Sequence, residues 1–503
     1  VQTRATGNWW ERRWVAYALA LACAVPLLWP ALPPLADVPG HMARWHVSMA
    51  LDRSADLQRY YDFHWEVIPN LGMDLIVPAL ATLFGLAFAT KLAVMAIPVL
   101  TAAGLLAMAR AAHGRIPPTA LFALPLAYAW PFQFGFVNFA LSQALAFCAT
   151  ALWLRLGQGG RLGMRAALFV PIACVIWVTH SFGWGMLGLI ALAAELARLR
   201  GEGRSWVSAL IGAGVQCVPL AAPLLVMLSG RGGGALGADD WFDWSAKLLW
   251  VMGMLRDRWQ WFDLASLLPL IAVLCVGARS ARLGLSPLLA WPALLCLVAF
   301  VLLPRLLMGG AYVDMRMIPA AVMLALVAVK PPADARFGRT LAVLGLAFLL
   351  VRLVGTTASY VLRSGEQHSE LAAIEAIPRG AAVLTLVARP CGDLWGAQRE
   401  DVLPGIAVVR RDAFVNANWA IAGQQLLSVR YAQAGRYRVD PSQQMAAAGC
   451  SVGGPDFKRA IARFPRAAFG YVWTIGFPPG TAKADDLRLV WSSGRSALYR
   501  VAR

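Results

Sequence analysis

The sequence predicts a polytopic α-helical membrane protein of about eleven crossings, with a soluble α/β or α+β domain at its C-terminal end. Three observations predict it. The 503 residues are 59% hydrophobic and only 14% charged, where soluble domains carry about 25% charged residues. Apolar runs approaching or exceeding the ~20 residues needed to span hydrocarbon recur between residues 14 and 356. From about residue 364 the composition becomes that of a soluble domain, which divides the chain into a membrane part, 1–363, and a C-terminal domain, 364–503.

Taken in order, residues 1–13 are basic, and residues 14–32 read as a retained signal-anchor helix, since no small-residue cleavage site follows. The next stretch, 32–70, is the first place where charge, histidine and aromatics concentrate. Asp37, His41, Arg44 and His46 fall within ten residues. Pro33, Pro34 and Pro39 hold the entry extended, because proline fixes φ and restricts the residue before it. A helix can start near Gly40 and places residues 41, 44 and 48 on one face.

Further apolar runs follow at 71–111, 116–132, 136–156, 164–181, 183–199, 205–228, 261–279, 285–304, 315–330 and 338–356. Arginine clusters between them set the orientation by the positive-inside rule. The N-terminus then lies inside, the loops 32–70, 131–138, 180–184, 229–260 and 305–316 lie outside, and so does the C-terminal domain. With Arg110 inside, 71–111 must cross an odd number of times. Residues 71–88 therefore read as a re-entrant or interfacial helix, interrupted by Asp74, Pro78 and Gly85. Two true crossings are the alternative.

Residues 229–260 open with a flexible glycine run, and 241–262 reads as an amphipathic helix on the membrane surface. In the C-terminal domain, 381–388, 406–411, 487–493 and 497–502 read as strands, and 365–378 as a helix ended by its proline. Cys391 and Cys450 can pair if that domain lies in an oxidising compartment. The other six cysteines sit in apolar runs as small hydrophobes.

The net charge of +18 does not indicate nucleic-acid binding. The arginines punctuate apolar runs, with no basic stripe and no binding motif. Nor is there a phosphate-binding glycine loop, a dinucleotide fingerprint or a nucleophile elbow.

Asp37 has two readings: a general base or a carboxylate that orients an acceptor hydroxyl, and an N-cap for the helix after it. The stiff proline segment beside two histidines is more than a cap needs. His41 and His46 are five apart, not the i, i+4 of metalloprotease helices, and Asp37 with His41 lacks a further ligand. A divalent metal is not favoured, and no cofactor is expected. Asp62, His64 and Glu66 alternate, as a solvated loop would also have them. His180 stands at the outer end of a crossing, where intramembrane ionisable groups tend to mark sites. Arg316 either pairs with Asp314 or binds a phosphate through its fork geometry. Asn138, in GFVNF (135–139), reads by itself as part of a capped helix with aromatic anchors.

The order of these parts resembles the GT-C glycosyltransferases, a class that includes protein O-mannosyltransferases and aminoarabinose transferases. More narrowly, LADVPGHMAR, YYDFHWEVIPNLGMDLIVP and GFVNF look like a group of little-characterised bacterial GT-C-like membrane proteins. The resemblance implies a multi-pass protein of the bacterial inner membrane with a periplasmic C-terminal domain. It implies a polyprenyl-phosphate sugar as donor and a lipid or glycan as acceptor, used on the outer face among membrane lipids. The class's first-loop acid maps onto Asp37. Many members have two adjacent acids there, and this chain has Asp37 followed by Val38. His41, Arg44, His180, Arg316 and Asn138 are then the expected substrate- and phosphate-binding residues. The competing readings are a transporter or flippase for a lipid-linked substrate and an inactive cell-envelope scaffold. A transporter should show an internal repeat and mid-membrane charge, and the polar residues here crowd the outer face instead.

Overall fold

Seven helices among the described residues are long and apolar enough to cross a membrane: Leu86–His113, Val137–Gln158, Leu162–Thr179, Ser181–Gly201, Trp206–Leu228, Gln260–Arg279 and Ala335–Ala376. Helices are the expected solution, because hydrocarbon offers the backbone no partner and a helix satisfies its own. Four further apolar helices are shorter: Arg13–Leu27, Gly72–Phe84, Ala120–Phe134 and Pro287–Leu302. A computed structural model describes residues 8–229, 237–280, 283–307, 310–389, 395, 399–418, 420–421, 424–438, 441–446 and 455–502. The glycine run at 230–236 and both Cys391 and Cys450 lie outside the described residues.

The stretch 71–111 resolves into one long helix and one short one. Gly72–Phe84 has 13 residues, about 20 Å at 1.5 Å per residue, which does not cover a ~30 Å core. Gly85 ends it at φ +74, a conformation that glycine adopts without a Cβ clash. Leu86–His113 then supplies the single full-length crossing.

The chain forms two compact units, each assembled from separated segments. The first is Val1–Leu28, Ile68–Met73 and Val94–Ala358. Within it, helices Val137–Gln158 and Ser181–Gly201 approach closely where Gly183 faces Ser142, the small-residue contact that membrane helices use in place of a hydrophobic drive. Arg165 is buried with Glu195 and lies over the Trp153 ring at 4.0 Å. Arg352 is likewise buried against Asp263 at 2.9 Å.

The second unit is Trp29–Val67, Asp74–Ala93 and Ser359–Arg503. Its six-stranded sheet runs Leu487–Ser492, Ala497–Val501, Tyr471–Ile475, Ala382–Arg389, Phe414–Val415, with Gln444–Ala446 also on Ala382–Arg389. Pairing is antiparallel through the first three strands and parallel around Ala382–Arg389. The strands expected at 381–388, 487–493 and 497–502 form. The one expected at 406–411 does not: Gly405–Arg411 is a helix. Its apolar run is packed on one side against Val38–Ala50, with Gly405 so close to Pro39 that a Cβ would lie 2.8 Å from the Pro39 carbonyl oxygen. The expected helix 365–378 is not separate either. Ala335–Leu371 is one helix of 37 residues that continues through residue 364. No glycine or proline interrupts the helical pattern there strongly enough to stop it.

A methyl group at Gly183 would fall on Ser142, within 2.7 Å of its backbone carbonyl carbon. Gly183→Ala should therefore destabilise the first unit by about 1–3 kcal/mol, the usual cost of overpacking. Thermal unfolding of purified protein in detergent checks this, and an unchanged midpoint would mean that the two helices separate without cost.

Candidate functional site

In the first unit, three segments expected at the outer face converge on Arg316. Helix Trp130–Phe134 ends at Gly135, which takes φ +96, and the chain passes through Phe136 into Val137–Gln158. His180 is extended between Leu162–Thr179 and Ser181–Gly201. Arg316 ends the short turn Asp314–Arg316. Its buried guanidinium lies over Phe136 at 4.6 Å, Phe182 at 5.1 Å and Phe139 at 5.3 Å. One of its nitrogens, Nη2, donates to the Ala311 carbonyl at 3.2 Å, and Nη1 stands 3.2 Å from His180 Nε2.

The alternative partner for Arg316, Asp314, is taken. Lys247 donates to Asp314 at 3.0 Å and to the Phe300 and Leu303 carbonyls at 2.8 and 3.0 Å. The helix expected over 241–262 is interrupted: Trp244–Met252 ends at Gly253, and a separate helix, Gln260–Ala265, follows. Trp244–Met252 turns Lys247 inward and leaves Trp244, Leu248 and Val251 exposed. A lysine so far from bulk water needs acceptors, and the carbonyls closing Pro287–Leu302 together with Asp314 provide them.

His180 is engaged at both ring nitrogens. Its Nδ1 accepts the Phe182 N–H at 3.1 Å and caps the following helix. Nε2 in turn faces the Arg316 guanidinium, so donors stand at both ring nitrogens, and a neutral imidazole accepts from only one of them. Burial, and then the Arg316 guanidinium, push the imidazole well below its ordinary value and keep it neutral. The Arg316 fork and the edge of the His180 ring thus meet in one small region. That arrangement suits an anionic oxygen between or beside them.

Asn138 is also buried, and its amide grips the backbone. Oδ1 accepts the Met73 N–H at 2.6 Å, and Nδ2 donates to the Asn70 carbonyl and side chain at 2.8 and 3.0 Å. The same segment is held by Leu71 N–H to Val178 and Ser181 N–H to Pro69.

In the second unit, Asp37 is buried and immediately precedes helix Val38–Ala50, where it makes no side-chain capping hydrogen bond. The helix begins two residues earlier than Gly40, with Pro39 in its first turn, as the fixed φ of proline favours. Arg399 donates to the Pro34 carbonyl at 2.7 Å, and the Gly405–Arg411 helix packs on Pro39, so the proline segment is tied down from the C-terminal side. Arg44 is buried and faces Asp74, with Nε to Oδ1 at 2.7 Å and Nη2 to Oδ2 at 3.0 Å. It also donates to Gln425 and lies 3.0 Å from His41 Nδ1. Asp62 pairs with exposed Arg430 at 3.2 Å, on a short ladder of Tyr61–Phe63 with Leu427–Val429.

Sequence reasoning gives Lys247 and Gln425 no role and marks Asp74 only as an interruption of 71–88. A lone lysine in an apolar helix and an aspartate at a helix start were the available signals. Gln425 had none. Among the described residues no group of three or more His, Cys, Asp or Glu is close enough to hold a metal ion.

The far end of Val38–Ala50 is latched by Asp412, which sits at φ +49 just past helix Gly405–Arg411. It accepts from His46 Nε2 at 2.7 Å, Ser54 Oγ at 2.9 Å and Arg379 at 2.5 and 3.1 Å. Burial alone would raise its carboxyl, but the hydrogen bonds from His46, Arg379 and Ser54 outweigh it and hold the group below the usual range. A depressed folded value contributes stability above the unfolded value near 3.9 and loses it as pH falls through the folded one. Asp412→Asn should cost about 1.5–3 kcal/mol at neutral pH, as for hydrogen bonds to a charged group. The gap from wild type should close below about pH 4. Unfolding curves of both proteins across pH check this, and a constant gap would exclude the latch.

No family model and no curated protein matches the sequence. Among solved structures the chain is similar to the crystal structure of ArnT from Cupriavidus metallidurans bound to undecaprenyl phosphate, with 15% identity and a TM-score of 0.49, over 96% of this chain and 97% of that one.

Proposed function

We propose that this chain is a GT-C-type membrane glycosyltransferase that moves a sugar from a polyprenyl-phosphate donor to a lipid or glycan acceptor. The reaction would take place on the outer face of a bacterial inner membrane. The observation that carries this reading is the buried Arg316 guanidinium beside a neutral His180, held among three phenylalanine rings. A guanidinium fork preset in an apolar surround suits a phosphate oxygen on an isoprenoid lipid.

In this reading Asp37 is the general base. It takes the proton of the acceptor hydroxyl as that oxygen bonds to the anomeric carbon. The bond from carbon to phosphate oxygen breaks, and its electron pair leaves on the phosphate, which Arg316 and His180 stabilise by charge and hydrogen bond. Arg44 and Asn138 contribute by position. Arg44 holds Asp74 and Gln425, and Asn138 holds the backbone at 70–73.

Asp37→Asn should lower transfer from a polyprenyl-phosphate sugar by at least ~100-fold with folding little changed, the low end of general-base effects. Wild-type transfer by that variant would exclude Asp37 as base. Arg316→Ala should instead raise the KM for donor, and an unchanged KM would remove it from the phosphate site.

The outward orientation is tested separately. A cysteine at the exposed Ser369 should react with an impermeant maleimide in intact cells. Protection there, with labelling only after lysis, would reverse the topology.

A further inference from the structure

We infer that Lys247 is a positioning residue for the Arg316 site: through Asp314 it anchors the turn that carries Arg316 to two neighbouring helices. Its part in binding rests on the proposed reading of Arg316 as a phosphate contact, whereas the anchoring does not depend on that reading. An ammonium has three N–H donors. Three acceptors meet this one: the Phe300 and Leu303 carbonyls at 2.8 and 3.0 Å, and Asp314 Oδ2 at 3.0 Å. The Lys247 and Asp314 side chains are only 4% and 2% exposed, so water competes for neither. The other carboxylate oxygen, Oδ1, accepts the Met315 N–H at 2.8 Å. One carboxylate thus ties the lysine to the backbone of its own turn, and Arg316 is the last residue of that turn.

The same helix grips this stretch a second time. Trp250 follows Lys247 by three residues, on the same side of Trp244–Met252, and both are buried. Its ring meets Tyr312 at 5.5 Å and 79°. Tyr312 takes φ +55, which a bulky residue keeps only where its surroundings over-determine it. Phe134 at 5.5 Å and the Arg305 guanidinium at 5.3 Å enclose the ring further. Immediately before it, the Ala311 carbonyl accepts from Arg316 Nη2 at 3.2 Å. The stretch 311–316 therefore bears on the guanidinium from both ends, by a carbonyl at one and by carrying the side chain at the other.

Arg316 needs such a frame. Phe136, Phe139 and Phe182 attract its charge, but cation–π attraction follows distance from the ring face and leaves the direction of each N–H open. A phosphate oxygen is recognised by an aimed fork. A shift of about 1 Å in a positioned group can cost about 100-fold. Lys247 acts through Asp314 and the turn rather than on a ligand.

Two readouts on the purified full-length protein test this, and the first needs no ligand. Arg316 Nη1 stands 3.2 Å from His180 Nε2, so nitrogen-15 NMR of labelled histidine reports where the guanidinium lies. The chain has six histidines. His180→Asn identifies the His180 signals by their loss, because the asparagine oxygen can take over the helix cap. In the double variant Lys247→Met/Asp314→Asn the His180 signals should move. In Arg352→Met, which breaks another buried pair, they should stay. Unmoved signals in the double variant overturn the anchor.

The second readout sets affinity for a short-chain polyprenyl phosphate against thermal stability. Lys247→Met and Arg352→Met each break a buried ion pair and should both lower the unfolding midpoint. Only Lys247→Met should weaken binding, by about tenfold, the scale of one charge-assisted hydrogen bond. The double variant leaves neither charge of the pair, so its midpoint should return toward wild type while its binding stays about tenfold weaker. Recovery of binding along with the midpoint, or equal loss of binding in Arg352→Met, would reduce Lys247 to a structural role and overturn the inference. If Lys247→Met does not fold, the double variant decides alone. Absence of binding by wild type would strike the proposed function, and the His180 signals would still decide the anchor.

Discussion

A charge buried in or beside a membrane must bring its partner with it, and that constraint organises this chain. Among the described residues, Arg44–Asp74, Arg165–Glu195, Lys247–Asp314 and Arg352–Asp263 are ion pairs with both side chains almost fully buried. Each joins segments at least 30 residues apart. Such pairs add little net stability, since desolvation offsets most of the attraction. Losing one partner, however, costs about 3–5 kcal/mol. They therefore act as registration points. Lys247 fixes where the Trp244–Met252 helix meets the end of Pro287–Leu302, and Arg352 holds Asp263, Ser266 and the Leu255 carbonyl to one level of the long helix.

The same economy of protons shapes the two histidines of the candidate chemistry. Each has its Nδ1 occupied by a donor, the Phe182 backbone N–H for His180 and the Arg44 guanidinium for His41. For His180 a second donor, Arg316 Nη1, stands 3.2 Å from Nε2.

The sequence reading went wrong where tertiary packing overrode a local pattern. The run at 406–411 is rich in β-branched residues, yet it is a helix because its short apolar side has Val38–Ala50 to pack on. Residues 241–262 have the composition of a surface helix, but Gly253 follows a helix that ends at Met252, and Lys247 faces inward. No amphipathicity argument finds Lys247's acceptors, which come from 53 to 67 residues away. Asn138 had the look of an interfacial cap and is a clamp on the backbone at 70–73.

The membrane character, the short helix inside 71–111, the helix after Asp37 and three of the four expected strands were determined by the sequence itself. Hydropathy, helix length and proline or glycine positions act over a few neighbouring residues, and a linear reading captures such terms. Only the tertiary structure decided what each charged group does. It paired Asp314 with Lys247, set Arg316 among Phe136, Phe139 and Phe182, and held His41 with an arginine that Asp74 in turn holds. It also assembled residues 29–67 with the C-terminal segment, through Tyr61–Phe63 on Leu427–Val429 and His46 on Asp412. Those contacts bridge more than 350 residues. The energy of a buried charge depends on which groups surround it in space, and the order of residues along the chain does not specify that until the chain has folded.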